Sequence, residues 1–180
     1  MSLAPRTLEA VLGHYQHAFA NKLHARTLGS TDPLMRVLGV SALEKAAASQ
    51  YWGRELGMCW EHLVRETFRR QGAAIGPSLR RGADTPCDFT TPTDAVDTKY
   101  RLGSGDAGTL GKLAGNARWL QEQGLRPVML ILRDDSLPSA LARMRRAGWT
   151  VLQADVSFDH VQAQTGFDLR TYLDGLAVLR

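Results

Sequence analysis

Leu8, Val11, Leu12, Tyr15, Phe19 and Leu23 recur at the interval of a helix, so this segment reads as an amphipathic helix ending before Gly29. A second apolar stripe, Trp52, Leu56, Trp60, Leu63, Val64 and Phe68, follows the capping box Ser41-Ala42-Leu43-Glu44 and runs to a glycine cap at Gly72. Gly53 and Gly57 are the points at which this helix is expected to divide. The pattern then changes period. Asp88 to Lys99 reads as two extended arms around Pro92-Thr93, an antiparallel hairpin. Leu110, Leu113, Ala117 and Leu120 restore helical register between Thr109 and Gln123, with Gly124 closing the helix. Val128-Met129-Leu130-Ile131-Leu132 is an unbroken apolar run, as in a strand covered on both faces. A helix from Pro138 to Ala147 opened by Ser136, a strand from Thr150 to Gln153, and a helix over Phe167 to Leu179 complete the order.

Strand, helix and strand in succession imply a parallel, right-handed crossover. The expected fold is therefore α/β, a mixed central sheet flanked by helices, with a helical region over about residues 1–72 and a single domain over 1–180. A chain of 180 residues with 44% hydrophobic content can bury a core of that size. No apolar run has membrane-spanning length, and a soluble, cytoplasmic protein is the expectation. Cys59 and Cys87 form no CxxC pair and are expected as free thiols, which removes zinc-ribbon and thioredoxin readings. His14, His17 and His24 lack a carboxylate or thiol to complete a metal site and read as surface residues. Net charge is +4, from 22 Lys and Arg against 18 Asp and Glu, a mild bias compatible with a polyanionic partner.

The hairpin carries the chemistry. A loop centred between Pro92 and Thr93 sets Asp88 directly opposite Asp97, with their side chains on one face. Alternation adds Lys99 to that face and turns Thr98 away from it. Two carboxylates held so close repel unless a cation lies between them, and hard oxygen ligands without clustered His or Cys select Mg²⁺ over Zn²⁺. A lone D-x-K on a solvated hairpin is the bland alternative. A competing motif, Gly103-Ser104-Gly105-Asp106-Ala107-Gly108, matches the GxGxxG of dinucleotide-binding folds. The strand before it would be Ala95 to Arg101, which contains Asp97 and Lys99 where an apolar run is required. Asp134 and Asp135 also come later than the interval of roughly 20 residues at which a ribose-binding acid is sought. No nucleotide cofactor is therefore expected, and the glycines read as a loop that approaches phosphate closely.

Glu61, within Gly57-Met58-Cys59-Trp60-Glu61-His62-Leu63-Val64, followed by Asp88 and then Asp97-Thr98-Lys99, resembles the PD-(D/E)xK nuclease superfamily. More narrowly, Asp94 to Leu110 followed by Arg126-Pro127-Val128-Met129-Leu130-Ile131-Leu132-Arg133 resembles the ApaLI-like type II restriction endonucleases, with the similarity running from about Ala42 to Asp168. Cys87, not proline, precedes Asp88, a departure from the superfamily pattern. The resemblance implies a restriction-endonuclease-like fold and Mg²⁺-dependent hydrolysis of double-stranded DNA at a short palindromic site; the family's namesake reads GTGCAC. It makes Asp88 and Asp97 metal ligands, Lys99 the group that orients or polarises the attacking water, and Glu61 a holder of metal-bound water or a second ion. Glu61 and Arg65 equally form an i,i+4 pair that could simply decorate a solvated face, with Glu55 and Glu66 as lesser substitutes.

Arg101, Ser104, Lys112 and Arg118 are the expected DNA contacts, and Arg69, Arg70, Arg80 and Arg81 add positive charge. Two-fold symmetry of the site implies a homodimer. Other readings are a repair or resolving nuclease of the same superfamily, a non-catalytic DNA-binding module, and a dinucleotide-binding oxidoreductase.

Overall fold

The computed structural model describes residues 31–103 and 107–178. Its elements, in chain order, are α1 (Pro33–Leu38), α2 (Ala42–Ala47), α3 (Ser49–Arg70), β1 (Phe89–Thr90), β2 (Asp94–Lys99), α4 (Ala107–Glu122), β3 (Arg126–Ile131), α5 (Pro138–Arg146), β4 (Thr150–Gln153), α6 (Asp155–Thr165) and α7 (Leu169–Val178). The four strands form one mixed sheet in the order β1-β2-β3-β4, antiparallel at the first pairing and parallel at the next two. The expected α/β class and the parallel β2–α4–β3 crossover are thus present. The amphipathic segment before Gly29, with its three histidines, lies outside the described residues.

Alternation along β2 and β3 divides the core in two. Val96, Val128, Leu130 and Leu132 face α3, α6 and the short α1, where they meet Trp60, Val64, Phe158 and Met35. Ala95, Met129 and Ile131 face α4 and α5 and pack on Ala117, Leu120, Ala140 and Met144. Each fully buried side chain of Leu or Phe size contributes about 1.5–3 kcal/mol over leaving it in water. Helix α3 spends its stripe Leu56, Trp60, Val64 and Phe68 on the sheet, and the Trp60 Nε1 donates to the Leu130 carbonyl at 3.1 Å. That bond sets the rotation of α3 and hence where its next residue, Glu61, stands.

Several boundaries differ from expectation. The long helix does not divide at Gly53 or Gly57; the break falls at Ala48, which separates α2 from α3, because a helical glycine with space around it costs only propensity. Ser136 does not cap α5. Its hydroxyl accepts from the Leu102 N–H at 3.1 Å, and Leu137 occupies the cap position ahead of Pro138. Helix α6 was not anticipated, and the last helix starts at Leu169, after Thr165 and Gly166 close α6. The capping box at Ser41 and Glu44 is present in both directions. No described helix is long and apolar enough to cross a membrane.

Candidate active site

The hairpin has the register expected of it. Phe89 pairs with Val96 and Thr90 with Ala95, so the loop is centred between Pro92 and Thr93. A further stretch joins the sheet edge: the Gly76 N–H donates to the Thr90 carbonyl at 2.8 Å, and Thr90 N–H returns a bond of 3.2 Å. A Cβ at residue 76 would sit 2.5 Å from the Thr90 Oγ1, so a larger residue there would have to displace that hydroxyl.

Asp88, however, does not continue the ladder opposite Asp97. Its N–H donates to the Val96 carbonyl at 2.8 Å, ahead of the two-residue β1, and its carboxylate swings to the residue expected to point away. Asp88 Oδ2 accepts from both the Thr98 N–H, at 2.6 Å, and the Thr98 hydroxyl, at 2.7 Å. The side chain takes the strand N–H that a further rung of main-chain pairing would use. This corrects the simple alternation argument: where pairing ends, the carboxylate replaces a main-chain carbonyl as acceptor.

Asp97 and Lys99 do lie together on β2. The Lys99 ammonium donates to Asp97 Oδ1 at 2.7 Å and to the Thr98 carbonyl at 3.1 Å. It also stands 2.6 Å from Asp97 Oδ2, a charge contact without hydrogen-bond alignment. Oδ2 is consequently buried with no hydrogen-bond partner among the described residues. The Asp97 side chain is only 7% exposed, and burial pushes its carboxyl up to about 6; the Lys99 charge opposes this shift, while Asp88 and Glu61 add to it. Burial pulls the Lys99 ammonium down, but Asp97 and then Asp88 outweigh it and hold the group above its ordinary value.

Glu61 of α3 lies near enough for its charge to act on both Asp97 and Lys99. Its carboxylate is paired with Arg65 at 3.0 Å, the i,i+4 pair foreseen in the sequence. Arg65 does more than decorate a surface, since its Nη2 donates to the Asp88 carbonyl at 2.5 Å and so ties α3 to the start of β1. A cleft of about 370 Å³ opens here, between Arg65, Gly76, Ser78 and Asp88. No group of three His, Cys, Asp or Glu side chains placed to hold one ion occurs among the described residues.

The donor set nevertheless suits a hard cation. Mg²⁺ is commonly held by one or two carboxylates, with water and phosphate oxygens completing the shell. Asp97 Oδ2 is buried without a hydrogen bond, the kind of atom such an ion would satisfy, and burial holds the carboxyl near 6 even with the Lys99 ammonium beside it. Asp97 and Asp88 are the residues that would hold it.

The expected DNA contacts fare unequally. Arg101 donates to the Asp135 carbonyl at 2.9 Å and lies 3.3 Å from its carboxylate; Lys112 is paired with Asp84 at 2.7 Å. Arg69 and Arg70 are both engaged by Glu66. Arg118 is exposed, and Ser104, in the glycine loop, lies outside the described residues.

Two buried ionic arrangements were missed in the sequence. Asp94, 1% exposed, receives two parallel bonds of 2.8 Å from Arg126, which clamps the adjacent starts of β2 and β3. Asp32 caps α1 through Met35 N and also accepts from the Tyr100 hydroxyl and from Arg133, which is itself held by Asp135. The cap was legible, since Asp followed by Pro is a helix-start pattern; the partners are far away in sequence and carried no local signal. No family model, curated protein or solved structure matches the chain.

Proposed function

We propose that the chain is a Mg²⁺-dependent nuclease that hydrolyses phosphodiester bonds of double-stranded DNA, acting as a type II restriction endonuclease at a short palindromic site. The observation that carries this reading is Asp97: a buried carboxylate with one orphaned oxygen, spanned by the Lys99 ammonium and under the influence of Asp88. A fold tolerates a buried carboxylate short of hydrogen bonds where it serves a ligand. Asp97 and Asp88 would hold the cation, and Mg²⁺ there would supply charge to offset that growing on phosphate and a lowered pKa for water. Lys99, already charged and tethered, presents a second positive group at the place where charge develops. Thr98 fixes the Asp88 carboxylate in direction, and Arg65 fixes its backbone.

Digestion of a fully sequenced plasmid with and without Mg²⁺ tests the reading. Discrete fragments that require Mg²⁺ and disappear in Asp97→Ala are expected. Nonspecific degradation points instead to a repair-type nuclease, and the absence of any cleavage abandons the enzyme.

A further inference from the structure

The cations of this protein are unevenly neutralised. Arg36, Arg54, Arg65, Arg69, Arg70, Arg126 and Arg133 each have a carboxylate within salt-bridge distance, as do Arg101 and Arg170. Among the described residues the arginines with no such partner are Arg80, Arg81, Arg118, Arg143, Arg145 and Arg146. All six belong to α4, α5 or the loop ahead of β1, and Leu79 of that loop packs in the core beneath these helices. The opposite layer, built on α3 and α7, carries its arginines in ion pairs.

Two of the six lie over the same helix. A methyl group placed on Gly111 of α4 would lie 3.7 Å from Arg143 Nη2, and one placed on Gly115 would lie 3.5 Å from Arg81 Nη1. Residues four apart occupy one helix face about 6 Å apart along the axis, so guanidinium groups from two separate elements lie over consecutive turns of one glycine-lined strip. The nearby acid, Asp84, does not neutralise them: its carboxylate is drawn to Lys112 and Asn116. Like charges set over one helix without a counterion mark a place for an anion. Guanidinium presents a planar fork suited to phosphate oxygens.

We propose that Arg81 and Arg143, over the Gly111–Gly115 strip of α4, form a docking site for the phosphodiester backbone of DNA, separate from the carboxylate centre. The proposal rests on the reading of the chain as acting on DNA. The site holds backbone without reading bases, and the chain leads from it to Asp88 within a few residues of Arg81, so docked DNA is presented to the hairpin.

Anisotropy of a short fluorescent DNA duplex, titrated in EDTA over a series of salt concentrations, tests it without requiring cleavage. The double variant Arg81→Ala/Arg143→Ala is expected to bind at least ten-fold more weakly, and its plot of log affinity against log salt is expected to flatten by about 2, one lost phosphate contact for each arginine. Arg54→Ala/Arg170→Ala, on the neutralised layer, is expected to leave both affinity and slope unchanged. An unchanged slope in the first double variant, an equal loss in the second, or no binding by the wild-type protein overturns the site. So does a loss confined to vesicles of anionic lipid. Cleavage assayed in parallel separates this inference from the enzymatic one: a flattened slope with no cleavage under any condition leaves the docking site and removes the nuclease, whereas Mg²⁺-dependent cutting with an unchanged slope does the reverse.

Discussion

Asp88 Oδ2 accepts both hydrogen bonds that Thr98 can donate, from its backbone N–H at 2.6 Å and from its hydroxyl at 2.7 Å. One edge of the carboxylate is thereby fixed to β2, on the residue between Asp97 and Lys99. Thr98→Val keeps the strand-favouring shape and removes only the hydroxyl bond. Loss of a hydrogen bond to a charged group costs about 1.5–3 kcal/mol when buried, and Asp88 is half-buried, so about 1–2 kcal/mol of stability is expected to go. Mg²⁺ affinity, measured by calorimetry, is expected to fall together with it. Stability lost with Mg²⁺ affinity unchanged would make the Asp88–Thr98 contact purely architectural.

Asp97 makes stability depend on pH in a direction opposite to that of most carboxylates. Its carboxyl titrates at about 6 in the folded chain against 3.8 ordinarily, so between those values the folded state holds the proton more tightly than the unfolded one. The contribution of Asp97 to stability in EDTA is therefore greatest at the acidic side of this window and falls as pH rises through it, by up to about 3 kcal/mol. Urea denaturation at a series of pH values measures the slope, which Asp97→Asn is expected to flatten. Mg²⁺ competes with the same proton, so its affinity climbs as pH rises toward 6 and levels off above it. A pH dependence between about 4 and 6 that is the same in the wild type and in Asp97→Asn would contradict the raised titration of Asp97.

Arg126 holds Asp94 at the end of β2 remote from Lys99. Arg126→Ala strands a buried carboxylate, and breaking a fully buried pair costs about 3–5 kcal/mol. The guanidinium is 55% exposed, so water and salt temper the loss, and about 2 kcal/mol is expected in chemical denaturation. Mg²⁺ affinity and cleavage below the melting transition are expected to remain. A variant of normal stability would show that the clamp contributes nothing net.

A palindrome presents two equivalent phosphates, while Asp88, Asp97 and Lys99 make one centre per chain. If the chain acts on such a site as a homodimer, mixing wild-type protein with an excess of Asp97→Ala should yield nicked plasmid, because mixed dimers would cut one strand. One chain per site in sedimentation of the DNA complex, with no excess of nicks, would remove the symmetric dimer.

What was legible in the sequence is what depends on neighbours along the chain. The apolar run of β3, the stripe of α3, the capping box at Ser41 and the hairpin centred on Pro92 and Thr93 follow from periodicity and turn chemistry, and all are present. Asp97 and Lys99 share a face because strand side chains alternate, a rule local enough to read directly. Helix α6 escaped because its buried residues, Ser157, Phe158 and Val161, give too thin a stripe to set its period. Asp88 escaped for a different reason: alternation holds only while the ladder continues, and the end of β1 let its carboxylate take the Thr98 N–H. The partners of Asp94 and Asp32, 32 and 101 residues away, and the placing of Arg81 and Arg143 over α4 depend on how layers pack. Charges pair or crowd across space according to which surfaces the core brings together, and no spacing along the chain encodes that.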